Sequence, residues 1–508
     1  MNFTPCRTSR QNLLYLLCYA LASVILFSPV LHKSFVSDDF VVLKRVCLEN
    51  QFWVAGFFRP LSDLTIDLNY NIGGFDPFGF NLFNILIHAL NSFLLLQFCL
   101  KWKWSQDAHL QQRFSFMASI LFLVYPFHNE AIVWLLGRGA SLAGSFFISA
   151  LLIFLSKWKE GIKLFVVAGC YFVGLTAYES IIILPLLILI LLFEKQASTR
   201  SYLRWIGAFS VAGMINLLLR YKFSGALMGA YGEKILTIPV VNVWGNIFKV
   251  IARLLIPPIQ DSGAFLITAI SVVVVVSVTW ILLLKRKGLP GSKRLGIVLS
   301  VMTGCTLIVA VIVAVSTRTS EGDRLLYIPS FFVCCLISYL LCRLVPSEAI
   351  MRLVFILLCA YNIFFLELNN YNWRTAGTAV QSILGILSAD TGKIYIANLP
   401  NEIKGAYIFR EGFKDALIIN QIDTSNVVVI NKLSKELNTS KGKTWKPLDL
   451  DAGSTIPPFL KLSRRGEDGS ILMKIEGKSM SLPANSRLYY WNQHKLALWA
   501  KPGDLEGQ

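Results

Sequence analysis

The sequence predicts a polytopic α-helical membrane protein of about eleven transmembrane helices, followed by a small β-rich domain. Three observations predict it. The 508 residues are 55% apolar with a mean hydropathy of +0.58, too apolar for a soluble domain of this size. Apolar runs of about 17–21 residues recur along the chain, each long enough to cross a bilayer. The cations are unevenly placed: residues 1–387 carry 31 Lys and Arg against 17 Asp and Glu, and 18 of those cations fall on one set of loops with four acids. That bias orients membrane proteins with the positive loops inside. It also removes nucleic acid as the meaning of the net charge of +18, which would need cations clustered on a soluble face.

The first span is expected over about 11–31, with Arg7 and Arg10 placing the N-terminus in the cytoplasm. A cleavable signal peptide is the alternative for this stretch, but Ser28-Pro29-Val30-Leu31-His32 is a poor cleavage site. An outer loop, 32–79, follows. It opens on Ser37-Asp38-Asp39-Phe40 and then carries Phe58-Arg59-Pro60-Leu61-Ser62-Asp63-Leu64. Pro60 suits a first helical position. Leu61, Leu64 and Leu68 make an apolar stripe, with Arg59, Asp63 and Asp67 on another face, so an amphipathic helix on the membrane surface is expected. Gly73-Gly74 and Asp76-Pro77 end it with turn chemistry.

The second span, 80–100, carries Asn81, Asn84, His88 and Asn91 down one side. Polar groups in a spanning helix face the bundle or a wet cavity. Interhelical hydrogen bonding is one reading; lining an active-site cavity, with Asn81 and Asn84 nearest the outer end, is the other. Lys101-Trp102-Lys103-Trp104 marks an inner interface. Further spans are expected at 114–126, 139–156, 163–177, 181–194, 205–220, 264–284, 296–315, 325–342 and 351–368, with an interfacial helix at 239–256. The outer loops between them hold Pro126-Phe127-His128-Asn129-Glu130, Ala177-Tyr178-Glu179-Ser180, and Ser316 to Arg324.

After the eleventh span the composition changes. Ile394–Ile396, Val427–Ile430, Ile471–Ile475, Leu488–Trp491 and Leu496–Trp499 are short β-branched and aromatic runs separated by Gly, Pro, Asn and Asp. The expected domains are therefore a membrane domain, 1–387, and an extracytoplasmic β-rich domain, 388–508. Ten cysteines show no metal-type spacing and no disulfide framework.

One block of motifs is similar to a known family. Asp38-Asp39, Phe58-Arg59-Pro60-Leu61-Ser62, Leu68-Asn69-Tyr70, Gly74-Phe75-Asp76-Pro77-Phe78-Gly79-Phe80 and Asn84-Ile85-Leu86-Ile87-His88-Ala89-Leu90-Asn91 occur in one order. Tyr125-Pro126-Phe127-His128-Asn129-Glu130-Ala131, Trp134 and Gly137-Arg138 follow. Together they resemble the membrane region of the transmembrane-and-tetratricopeptide O-mannosyltransferases and their bacterial, family 39-like relatives. Asp323-Arg324-Leu325-Leu326-Tyr327-Ile328-Pro329-Ser330 looks like that family's Glu-Arg-x-Leu-Tyr-x-Pro-Ser motif, with Asp323 where Glu is usual. The tetratricopeptide array is missing, and a β-rich tail stands in its place. The resemblance implies the GT-C glycosyltransferase architecture, a catalytic acid in the first outer loop, and a polyprenyl-phosphate sugar as donor, with mannose favoured. It implies transfer on the extracytoplasmic face, and a bacterial inner membrane is the expected location.

Such a transfer needs a carboxylate to take the acceptor's proton and cations to receive the leaving phosphate. Asp38 and Asp39 are the catalytic candidates, Asp38 preferred; a solvated helix cap is the plain alternative. Arg138, Arg324 and Arg59 are the phosphate candidates, because guanidinium matches phosphate geometry. Local ion pairs are their alternative. His128, Glu130, Trp134, Glu179, Asn81, Asn84, Asp323 and Tyr327 are expected around the cavity or the acceptor. No metal or other cofactor is expected, although His128 and Glu130 could contribute to a divalent-metal site. The expected partners are the lipid-linked donor, membrane lipids, and an acceptor that is a protein, glycan or lipid. A lipid-sugar flippase or transporter is the competing class. It would want charges near the membrane midplane and inverted repeats, which the sequence lacks.

Overall fold

The computed structural model describes residues 9–53, 57–102, 105, 107–225, 227, 240–259, 261–285, 290–345, 347–390, 392–430, 460–465, 471–475, 478–482, 486–492 and 495–498. Every expected span is helical. In chain order the helices are α1 (Ser9–Leu26), α2 (Asp39–Leu43), α3 (Pro60–Gly73), α4 (Pro77–Lys101), α5 (Ala108–Leu123), α6 (Glu130–Val133), α7 (Arg138–Phe154) and α8 (Glu160–Leu175). They continue as α9 (Leu184–Glu194), α10 (Thr199–Ser224), α11 (Val240–Arg253), α12 (Ser262–Lys285), α13 (Pro290–Val313), α14 (Tyr327–Leu344), α15 (Glu348–Ala389) and α16 (Phe413–Ile419). Among the described residues, seven helical stretches are long and apolar enough to cross a membrane, so this is a multi-pass integral membrane protein. The other four expected spans are α5, α8, α9 and α12, which fall short of that length or apolarity among the described residues.

Local chemistry sets several boundaries. Pro60 is the first residue of α3, where its missing N–H is no loss. Gly74, at φ +62° and ψ −140°, takes a backbone conformation open essentially to glycine and ends α3. Asp76 then caps α4, its carboxylate accepting the Phe78 N–H at 3.0 Å, and Pro77 follows at the first helical position. The packing of α3 is less ordinary. Its buried face is Ser62, Asp63 and Ile66, whereas Leu64, Leu68 and Ile72 are exposed. An exposed apolar stripe with a buried polar face is the arrangement of a helix that meets lipid on its outer side.

The largest departure from expectation is α15. A span of 351–368 is expected, and the helix runs on to Ala389. Its later half buries Trp373, Ala376, Val380, Ile383 and Leu387, at steps of three and four. That spacing makes a helical stripe, and no proline interrupts it. Asn369, Asn370 and Asn372 lie just past the expected end of the span and are tolerated inside the helix because tertiary packing overrides a weak propensity.

The chain falls into two compact units. The first contains Met1–His32 and Gln51–Asn370, the helical bundle. Here α4 carries the polar stripe, and all four of its members are buried. The second contains Lys33–Asn50 and Tyr371–Gln508. Its main sheet has the order β4 (Val427–Val429), β1 (Ile394–Ile396), β8 (Arg487–Trp491), β9 (Leu496–Leu498). The central β1 runs parallel to both neighbours and is buried along its whole length, as a strand covered on both faces should be. The short β2 (Glu402–Ile403) and β3 (Ala406–Tyr407) pair with one another, and β5 (Leu460–Arg465), β6 (Ile471–Ile475) and β7 (Lys478–Leu482) form a separate antiparallel sheet.

Candidate functional site

The acid pair sits on a tight turn within the second unit. Ser37 adopts φ +49°, a left-handed backbone that is uncommon for serine. It is held there from far along the chain. The Ser37 N–H donates to the Ile408 carbonyl at 2.7 Å, and the Glu411 N–H donates to Ser37 Oγ at 3.2 Å. Phe40 stacks on Phe409 with ring centres 6.1 Å apart, and Lys44 pairs with Asp415 at 3.1 Å. Gly412, at φ +74°, lies so close that a Cβ there would meet the Ser37 carbonyl oxygen at 2.5 Å. Gly412→Ala is therefore expected to destabilise this unit by about 1–3 kcal/mol through its left-handed backbone alone, with the clash added to that. Thermal unfolding of the variant measures it; an unchanged midpoint would show the turn to be looser than this.

The turn gives the two aspartates unlike surroundings. Asp39 is fully buried, and its Oδ2 accepts the Val36 N–H at 3.0 Å. Lys33, itself buried, donates to the Ser34 carbonyl at 2.9 Å and lies over Trp373. Burial pulls the Lys33 pKa down, and the nearby Asp39 charge opposes that pull. Asp38 immediately precedes α2 without a side-chain capping bond, accepts the Ser37 hydroxyl at 3.0 Å, and keeps part of its surface open.

Within the first unit, three arginines gather around two carboxylates. Arg59 donates to Glu179 Oε2 through Nη2 at 2.9 Å and Nε at 3.2 Å. Arg220 donates to Glu179 Oε1 through Nη1 and Nη2, both at 3.1 Å. Burial would raise the Glu179 carboxyl, but Arg59 and Arg220 outweigh it and hold the pKa below the usual range. Arg59 also lies over the Tyr178 ring at 4.6 Å. The third arginine, Arg324, donates from Nε to Tyr178 Oη at 3.1 Å, lies over Trp134 at 5.1 Å, and pairs with Glu130. Its backbone N–H also reaches Glu130, at 2.9 Å. Beside it, Asp323 is buried and paired with Arg253, whose guanidinium also holds the Ser316 and Ile256 carbonyls.

Arg138 has a different setting. It is fully buried and donates to Asn84 Oδ1 at 2.6 Å, the Thr65 carbonyl at 2.9 Å and the Phe80 carbonyl at 3.0 Å. One side chain on α7 thereby ties α3 to α4. Asn84 passes the connection on to the Ile132 carbonyl at 3.1 Å, and Asn81 donates to the Leu31 carbonyl at 3.1 Å. These amides hold backbone from neighbouring segments, as hydrogen-bonded polar groups between helices do.

Tyr327 and His128 belong to the same buried lattice. His88 Nε2 faces the Leu123 carbonyl at 3.1 Å, so it carries the proton. Its Nδ1 then accepts from the Tyr327 hydroxyl at 3.0 Å, and that hydroxyl accepts from Asn91 at 2.9 Å. The Ser330 hydroxyl donates to the Tyr327 carbonyl, so it accepts from His128 Nδ1 at 2.8 Å. His128 Nε2 is then an unprotonated, buried nitrogen without a hydrogen-bond partner among the described residues. Burial, and then His88, push the His128 pKa well below 6.5. An unfolded chain binds this proton more readily, so the contribution to stability is complete above about pH 6.5 and is lost as pH falls below it. Thermal unfolding at pH 7.5 and pH 5 is expected to show that loss, at up to about 1.4 kcal/mol per pH unit. His128→Asn should reduce the slope; an equal slope in both proteins would remove His128 as its source.

No family model matches the chain. It is similar to the Mus musculus protein O-mannosyl-transferase TMTC4, with 37% identity over 114 residues, covering 20% of this chain and 15% of that protein. It is similar to Homo sapiens protein O-mannosyl-transferase TMTC3, with 32% identity over 116 residues, 21% of this chain and 12% of that protein. For Homo sapiens protein O-mannosyl-transferase TMTC1 the identity is 29% over 160 residues, 28% of this chain and 18% of that protein. The chain thus matches less than a fifth of the length of each of these three relatives. Over that part it resembles the O-mannosyl-transferases. Among solved structures, the arabinofuranosyltransferase AftD from Mycobacteria covers 82% of this chain and 31% of its own, at 12% identity and a TM-score of 0.43, a likeness too slight to carry an argument.

Of the residues singled out in the sequence, Arg59, Glu179, Arg324, Glu130 and Trp134 form one connected network through Tyr178. Arg138, Asn81, Asn84, His128 and Tyr327 lie in the buried lattice. Among the described residues no three of His, Cys, Asp and Glu converge as a metal site would require. Sequence reasoning missed Arg220, Tyr178 and Arg253. Arg220 carries the same signal that marked Arg138 and Arg324, a cation at the outer end of a spanning helix, but Lys222 beside it disguises it as an ordinary flank.

Proposed function

We propose that the protein is a membrane glycosyltransferase of the GT-C type. It moves a sugar, mannose by analogy, from a polyprenyl-phosphate carrier to an acceptor hydroxyl on the extracytoplasmic face. The observation that carries the reading is the gathering of Arg59, Arg220 and Arg324 in the helical bundle, around Glu179 and Glu130. A cluster of arginines in a membrane bundle suits an anion that arrives on a lipid. The partial similarity to O-mannosyl-transferases supports the same reaction class.

In the proposed step the acceptor oxygen attacks the anomeric carbon, and its proton passes to Asp38. The new carbon–oxygen bond forms as the bond from the anomeric carbon to the phosphate oxygen breaks. Attack opposite the leaving group inverts that carbon. The electron pair leaves on the polyprenyl phosphate, whose charge cations must receive. The step uses side chains alone. Residues 388–508 lie on the extracytoplasmic side in this reading, and the N-terminus lies in the cytoplasm.

The test uses the purified full-length protein in lipid with a panel of polyprenyl-phosphate sugars, following release of the free lipid phosphate. Sugar-dependent release that Asp38→Asn abolishes supports the proposal. No release with any donor, in a protein that still binds them, would move the weight to a flippase.

A further inference from the structure

The lipid carrier needs a seat as well as a chemistry. The two arginines on Glu179 offer an unusual one. Each guanidinium presents two N–H groups to one carboxylate oxygen, and the arrangement fits two phosphate oxygens equally well. The Glu179 side chain is 36% exposed, whereas Arg220 behind it is 5% exposed. The clamp is therefore reached from the Glu179 side rather than from behind Arg220.

An aromatic patch continues directly from this clamp. Arg59 lies over the Phe57 ring at 5.6 Å. Phe223 follows Arg220 by three positions on α10 and so shares its face. Phe223 meets Trp53 with ring centres 5.0 Å apart, and it stacks on Phe58 at 6.2 Å. Trp53, Phe57 and Phe223 remain 44%, 39% and 39% exposed. Charge and exposed rings thus form one continuous surface, the shape an amphiphile with an anionic head requires.

We infer that Arg59 and Arg220, with Trp53, Phe57 and Phe223 beside them, seat a polyprenyl phosphate. The phosphate takes the place of the Glu179 carboxylate on the two guanidiniums, and the first isoprene units lie over the rings. Glu179 holds the clamp in its absence and competes with the incoming phosphate. The inference rests on the transferase reading for the choice of lipid, but the test does not depend on turnover.

Binding of undecaprenyl phosphate and of short-chain citronellyl phosphate is measured on the full-length protein in phosphatidylcholine nanodiscs. Arg220→Gln should weaken both about 10-fold or more. Trp53→Ala and Phe223→Ala should weaken undecaprenyl phosphate several-fold and citronellyl phosphate much less. Glu179→Gln should tighten both. Arg220→Lys and Trp53→Phe, with thermal unfolding alongside, separate lost contacts from lost fold. Undecaprenyl phosphate bound equally by wild type and the aromatic variants would overturn the inference and leave the patch to bulk phospholipid. Equal binding after Arg220→Gln would overturn it as well. If the binding pattern holds and no sugar is ever transferred, the seat stands and the transferase reading falls. If transfer occurs without the pattern, the reverse follows.

Discussion

Asp38→Asn is expected to lower transfer by about 10²–10⁴-fold, the usual contribution of a positioned general base. The amide keeps the size of the side chain and an oxygen for the Ser37 hydroxyl, so the variant should unfold close to the wild-type temperature. Asp39→Asn should do the opposite. Asp39 is buried, receives the Val36 N–H and faces the buried Lys33 charge. Replacing its carboxylate by an amide weakens the buried bond from the Val36 N–H, at an expected cost of about 1–3 kcal/mol. Release of polyprenyl phosphate at saturating donor, paired with thermal unfolding, separates the two. An Asp38→Asn enzyme within threefold of wild type would remove Asp38 as the base.

Arg324→Gln is expected to lower kcat by about 10²–10³-fold, the loss typical of one preorganised group at a developing charge. The substitution has a second consequence. Glu130 is fully buried, and Arg324 meets it through both its guanidinium and its backbone N–H. Deleting the guanidinium takes the cation from that carboxylate but leaves it the backbone N–H, at an expected cost of about 1–3 kcal/mol. The double variant Glu130→Gln with Arg324→Gln removes both charges and should recover much of the stability. Its turnover should stay as low as that of the single variant. Recovery of turnover together with stability would show Arg324 to be a structural partner of Glu130 and nothing more.

Much of the architecture was readable from the residues alone. The apolar runs became helices, Pro60 and Asp76-Pro77 opened α3 and α4 where they stood to do so, and the β-branched runs from Ile394 onward became strands. Each of these signals lies within a few residues of what it specifies. The signals that failed were those whose answer lies elsewhere in the fold. Arg59 could have paired with Asp63, one helical turn away, and pairs with Glu179, 120 residues on. Arg324 passes over its neighbour Asp323 for Glu130, which is 194 residues earlier, and Asp323 turns to Arg253. The expected end of the eleventh span, at 368, lies inside α15.

The sequence by itself therefore determined the class of protein, most of its helices and strands, and the short menu of acids and arginines that bears on chemistry. Hydrophobic period and turn chemistry act over one or two turns of chain, and both are written locally. Only the tertiary structure decided which members of that menu share a network and which are buried. It set Asp39 in the interior and left Asp38 open, through backbone hydrogen bonds from Ile408 and Glu411, some 370 positions later. It added Arg220, and it turned Arg138 inward. The physical reason is that a buried charge must find a partner or a carbonyl wherever helix packing brings one, and that choice depends on the assembled fold rather than on any window of the chain.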